Sequence, residues 1–271
     1  REEVIRWGKW VVNELKIDGF RMDAVKHIKD EFIAEFLTQV RAVYGEKFYS
    51  VGEYWNGDLD TLKTYLENIG YETDLFDVGL HFNMFEASKN RRDYDLRRIF
   101  DNTIVAASPL EAVTFVDNHD SQRGSALESQ IEDWFVPHAY ALILLAKDGY
   151  PCLFYGNYYG IGGEKSPHQW IIDKLLEVRK NNAYGDQINY FNNPNVVAIH
   201  RTGKDEWTGC VAVLSNADYD SEIQVEVGRE RTGQIWQEVT GSGFEDVVIN
   251  EEGKGDFRVK AEKIAVWVRK N

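Results

Sequence analysis

Three short apolar runs, each closing on a carboxylate, constrain the fold of this chain more than any other feature. They are Gly19-Phe20-Arg21-Met22-Asp23, Val51-Gly52-Glu53 and Phe115-Val116-Asp117-Asn118-His119-Asp120. Compact apolar runs of this length are expected of strands buried on both faces, as in parallel sheets. Between them lie stretches with helical spacing. Val4, Val11, Val12 and Leu15 share one face of the first, Ile33, Phe36, Leu37 and Val40 of the second, and Leu59, Leu62, Leu66 and Ile69 of the third. The alternation continues through Leu75 to Phe82 and Ala112 to Asp120, then a long helix expected from about Gln130. The run Gly149 to Gly156 reads as another buried strand, and His168 to Asn181 as a closing helix. Such alternation predicts a parallel sheet with helices outside it.

After Tyr184-Gly185 the texture changes to short segments rich in Val, Ile, Trp and Thr, broken by turns such as Gly241-Ser242-Gly243 and Glu252-Gly253. That predicts an α/β part over residues 1–184 and an all-β module over 185–271. With no long linker between them, direct packing is expected. Cys152 and Cys210 sit in apolar, strand-like contexts without metal-site spacing, so buried free thiols are expected rather than a disulfide framework. No run of about eighteen apolar residues occurs, which disfavours a membrane span. A formal charge of -14 without a Lys/Arg cluster disfavours nucleic acid and suits a neutral substrate.

In a (β/α) barrel the C-terminal strand ends share one face, and that face holds the active site. Acids far apart in sequence would meet there. Converging carboxylates suit glycosidic cleavage, because one donates a proton to the leaving oxygen while another, ionised, attacks or stabilises the sugar cation. Arg21 lies two residues before Asp23, on the same strand face, where it can hold that carboxylate ionised. Taken singly, each acid could equally be a surface carboxylate or helix cap.

The string Asp18 to His27 (DGFRMDAVKH) resembles the strand-four motif of the α-amylase family of retaining glycoside hydrolases, Val51 to Trp55 (VGEYW) its strand-five motif, and Phe115 to Asp120 (FVDNHD) its strand-seven motif. Gly149 to Gly156 resembles its strand-eight segment, and the likeness runs from Arg1 to Asn271. The chain is most similar to the liquefying bacterial type, and Trp207 to Asn216 to its intracellular members. The resemblance implies a partial (β/α)8 barrel, strands four to eight, over 1–184, followed by an antiparallel β-sandwich over 185–271. It implies endo-hydrolysis of α-1,4-glucans, with transglycosylation as the neighbouring chemistry. Asp23 would be the nucleophile, Glu53 the general acid/base and Asp120 the transition-state stabiliser. Arg21 would orient Asp23, His119 would hydrogen-bond the sugar, and Lys26, His27 and Trp55 would line the leaving-group side. A core tryptophan is the other reading of Trp55.

The His27 carbonyl matches a ligand of a structural calcium in the family, but the other expected ligands belong to strands that should precede Arg1. A further calcium of some relatives would fall near Asn192-Asn193-Pro194-Asn195 and Asn216, where neutral amides predict its absence. A half-barrel would expose its inner face and two sheet edges. The expected partners are therefore an α-glucan and either an N-terminal barrel half or a second copy of the chain. A silent fragment without that complement is the alternative, and the cytoplasm the expected compartment, with secretion as the other option.

Overall fold

The computed structural model describes residues 1–270, and the chain divides into two compact units. The first comprises Arg1–Leu80, Asp101–Thr114 and Asp148–Tyr150; the second comprises His81–Phe100, Phe115–Lys147 and Pro151 onward.

Five strands form one sheet in chain order: β1 (Gly19–Met22), β2 (Tyr49–Gly52), β3 (Asp74–Phe76), β4 (Ala112–Phe115) and β5 (Tyr150–Cys152). The β1–β2, β2–β3 and β3–β4 pairs are parallel. Gly19 lies opposite Tyr49 and Met22 opposite Gly52, so Asp23 and Glu53 follow at neighbouring strand ends. The rings of Tyr49 on β2 and Tyr150 on β5 approach to 6.3 Å between centroids, although β3 and β4 lie between those strands. A flat sheet could not bring them together, so this one curls.

Helices α1 (Glu2–Leu15), α2 (Asp30–Tyr44) and α3 (Leu59–Asn68) precede, connect and follow the first two strands. Helix α1 departs from the single face expected of it. Ile5, Gly8 and Val12 are buried, whereas Val4, Trp7 and Leu15 are 46%, 55% and 65% exposed. Gly8 is required at the α1–α2 contact, because a Cβ there would come within 2.5 Å of the Phe36 ring. The run from Leu75 to Phe82 is likewise no long strand: β3 stops at Phe76 and α4 (Val78–Asn90) begins two residues later. Asp77 makes the switch. Its carboxylate accepts from the Leu80 N–H (3.0 Å) and from the Val105 N–H (2.8 Å) at the start of α5 (Ile104–Ala107), serving two helix ends at once.

In the second unit, α6 spans only Val136–Leu145, not the long helix expected from Gln130. Pro137 lacks an N–H and fits only the first turn, and the Ile131 N–H is committed to Asp117 (3.1 Å). Helix α6 is buried on nearly every side, as its unbroken apolar sequence requires. Beyond it come α7 (Tyr155–Tyr159), a hairpin of β6 (Gly160–Ile161) with β7 (Glu164–Lys165), and α8 (Gln169–Asn181).

From Gln187 onward the chain is antiparallel. Strands β8 (Gln187–Tyr190), β9 (Val196–Arg201), β10 (Cys210–Ser215), β11 (Ser221–Glu226), β12 (Ile235–Glu238), β13 (Val247–Val248), β14 (Lys254–Val259) and β15 (Ile264–Arg269) form a six-stranded sheet, β13-β12-β15-β10-β9-β8, and a β11–β14 pair. Both supply one core that includes Val211, Val225, Trp236, Phe257 and Trp267. The Phe257 ring meets Trp236 and Trp267 edge-on, with centroids at 5.8 and 5.7 Å. Cys210 is buried and burial pushes its thiol up to about 12, whereas Cys152 is exposed, against expectation. The run from Gly149 to Gly156 is not the buried strand expected: β5 covers only Tyr150–Cys152, with Tyr150 and Cys152 exposed and Pro151 half-buried, and α7 begins at Tyr155.

Candidate active site

The first unit brings Arg21, Asp23 and Glu53 together. Arg21 bonds the Asp23 carboxylate through Nη1 and lies 3.2 Å from Glu53 Oε1 through Nη2, so one guanidinium holds both acids. The two carboxylates differ sharply in environment. The Asp23 side chain is 72% exposed, and that of Glu53 only 8%.

The backbone at the end of β1 builds this difference. Ala24 adopts φ 48°, ψ 40°, a left-handed conformation unusual without glycine, and its N–H donates to Glu53 Oε2 (3.0 Å). The Glu53 N–H donates to the Met22 carbonyl (2.8 Å) and the Val25 N–H to the Glu53 carbonyl (3.0 Å), extending the ladder past the named strands. Gly52 keeps the packing tight, since a Cβ there would lie 3.2 Å from Leu75 and 3.3 Å from Val25.

The other expected residues of this unit cluster nearby in sequence. Lys26 Nζ donates to the Trp55 carbonyl (3.2 Å). His27 ends a 3-10 turn over Val25–His27, its N–H donating to the Ala24 carbonyl (3.0 Å). Trp55 is half-buried, matching neither a core residue nor a freely exposed platform.

In the second unit, His119 Nε2 lies 3.3 Å from Asp120 Oδ2, and their side chains are 63% and 38% exposed. The Asn118 side chain shapes this segment by accepting from the Asp120 N–H (2.9 Å) and the Ser121 N–H (2.8 Å). His81 braces it from α4: its Nδ1 donates to the Val116 carbonyl (2.7 Å), which leaves Nε2 to accept from Ser129 Oγ (2.8 Å).

Among the described residues, no three His, Cys, Asp or Glu side chains gather as a metal centre. A single His27 carbonyl is no cage for calcium, so the residues here do not fit that ion on their own. At Asn195 and Asn216 the amides serve the backbone. Asn216 Nδ2 donates to the carbonyls of Arg91 (2.7 Å) and Tyr94 (2.8 Å), and Asn195 Nδ2 to those of Arg92 (2.7 Å) and the Asn216 side chain (2.9 Å).

Comparison with known proteins settles the family. Residues 1–263 match the α-amylase catalytic domain. A glucan 1,4-alpha-maltohexaosidase of Bacillus sp. (strain 707) is 42% identical over 99% of this chain and 52% of its own length. The chain belongs to the α-amylase family.

Among other α-amylase relatives, the cytoplasmic enzyme of Escherichia coli (strain K12) is 40% identical over 98% of this chain and 56% of its own. The chain thus spans about half the length of the curated relatives it matches. The crystal structure of the Geobacillus thermoleovorans α-amylase aligns with a TM-score of 0.75 at 22% identity, over 100% of this chain and 64% of that one, a likeness of fold. Two local features are not legible in the sequence pattern: the Ala24 kink and the buried carboxylate of Asp117 (2% exposed). The only signal for Asp117 was a second acid inside the string FVDNHD.

Proposed function

We propose that the protein hydrolyses internal α-1,4-glucosidic bonds of starch, glycogen and maltooligosaccharides with retention of configuration. The observation that carries this is the single guanidinium of Arg21 holding Asp23 and Glu53 at adjacent strand ends. In this reading Asp23 attacks the anomeric carbon while Glu53 gives its proton to the glycosidic oxygen, releasing the leaving sugar. Glu53 then takes a proton from water, which attacks the glycosyl ester and frees Asp23. Asp120 stabilises the positive charge developing on the sugar, and His119 hydrogen-bonds it. Lys26, His27 and Trp55 line the leaving-group side, Trp55 by stacking on a pyranose face. Asp23→Asn and Glu53→Gln should each lower kcat by roughly a thousandfold or more in the active assembly, without loss of fold. Activity of Asp23→Asn within tenfold of the parent removes it as nucleophile, and a β-anomer as first product, read by NMR, removes retention.

A dependent half-barrel is favoured by the open surfaces of the first unit. Tyr49 and Tyr150 are 42% and 64% exposed, α1 presents Trp7 and Trp10 at 55% and 56%, and β1 ends the sheet. We read β1–β5 as strands four to eight of a (β/α)8 barrel over 1–184, with a separate antiparallel domain over 185–271. An N-terminal barrel half, or a second copy, would cover these surfaces, and the barrel half would bring the calcium ligands that this chain lacks. Light scattering and a starch assay on the chain alone test this: a monomer cleaving starch at the rate of a full-length relative defeats it. The E. coli relative's name supports a cytoplasmic location.

A further inference from the structure

A buried hydrogen-bond network in the second unit runs from Asp117 in two directions. On one side, Asp117 Oδ1 accepts from Ser121 Oγ (3.4 Å), Ser121 Oγ accepts from the Asn118 N–H (2.9 Å), and Asn118 Oδ1 accepts from the Asp120 N–H (2.9 Å). On the other side, Asp117 Oδ2 accepts from Asn157 Nδ2 (3.1 Å), whose Oδ1 accepts from the Tyr140 hydroxyl (3.0 Å). The Tyr140 oxygen in turn accepts from the Phe154 N–H at the start of α7 (3.3 Å), and Ser166 Oγ closes the β6–β7 hairpin onto the Asn157 carbonyl. Asp117, Asn157 and Tyr140 are 2%, 5% and 0% exposed.

We propose that Asp117 is a positioning residue for Asp120, a buried tether that fixes the segment bearing His119 and Asp120 to α7 and the β6–β7 hairpin. A buried carboxylate surrounded by donors is costly unless each oxygen is used, and here both are. Such an arrangement has one low-energy geometry, which is what a charge-stabilising group needs in order to hold its place through a reaction. Asp117 touches no substrate in this account; it acts through the Ser121–Asn118 relay. The inference rests on the proposed role of Asp120.

The donors and acceptors can be exchanged, and this gives the test. Asp117→Asn faces Asn157 with a second amide. In the double variant Asp117→Asn, Asn157→Asp, the amide at 117 donates to a carboxylate at 157, which still accepts from Tyr140. Amide hydrogen exchange on the full chain should quicken about tenfold or more at Asn118 to Gln122 in Asp117→Asn and return toward the parent in the double variant. In the assembly that cleaves maltooligosaccharides, kcat should fall about tenfold or more with KM within threefold, and the double variant should recover most of it. Unchanged exchange at Asn118 to Gln122 in Asp117→Asn overturns the tether. So does a kcat loss that persists in a double variant melting like the parent. Asp120→Asn as a control separates the two ideas: full activity there removes Asp120 from the reaction, while the exchange data still judge the tether.

Discussion

Ala24 sits in the left-handed region between the two acids' strands, and a Cβ in that conformation costs about 1 kcal/mol. The strain persists because the kink aims the Ala24 N–H at Glu53 and sends the chain into the turn over Val25–His27. Ala24→Gly should therefore stabilise the fold slightly, by roughly 0.5–1 kcal/mol, with the Glu53 contact kept. A urea midpoint equal to or below the parent's refutes the strain account. At this scale the identities of Arg21, Asp23 and Glu53 were legible in the sequence, since a carboxylate at the end of a strand-like run is a visible pattern. That Glu53 is enclosed and Asp23 open was not legible, because it depends on the turn at Ala24, which brings that residue's N–H onto the Glu53 carboxylate, and on Arg21 reaching it from β1.

Elements were legible where a single period governed them and obscure where a side chain ended one. Helices α2 and α3 and strands β1 and β2 lie where spacing puts them, but β3 is cut short by Asp77 capping two helices, and α6 is delayed by Pro137. The apolar residues of α1 could not report two faces, because the sequence does not say which of them meets Phe36. Asn216 makes a comparable long-range link. Fully buried, it donates to the Arg91 and Tyr94 carbonyls across the turn after α4, where Arg91 is itself at φ 49°. Asn216→Ala leaves two carbonyls and the Asn195 amide short of a partner, and should cost about 2–3 kcal/mol. Chemical denaturation checks this. A loss under about 0.5 kcal/mol means that water replaces the amide without penalty.

For the whole molecule, three histidines of the second unit decide how it meets acid. His81, His138 and His200 are 0%, 0% and 1% exposed, and burial above all pushes each down to about 4. Unfolded, they titrate near the ordinary 6.5, so between about pH 6.5 and 4 the unfolded chain binds more protons. Their stabilising contribution is complete above 6.5 and disappears as pH falls through that window, by about 2 kcal/mol each at pH 5. Asp117 opposes them. Burial pushes its carboxyl up to about 6, so it favours the folded state only as it takes up a proton, returning about 1 kcal/mol by pH 5. Three groups outweigh one, and the urea midpoint of the second unit, followed by amide exchange in β9, β10 and β15, should drop steeply between pH 7 and 5. His200→Leu, which removes one of the three groups, should flatten that net drop by about two-fifths. A midpoint constant across the window means that the rings take up protons without unfolding, and ends the account.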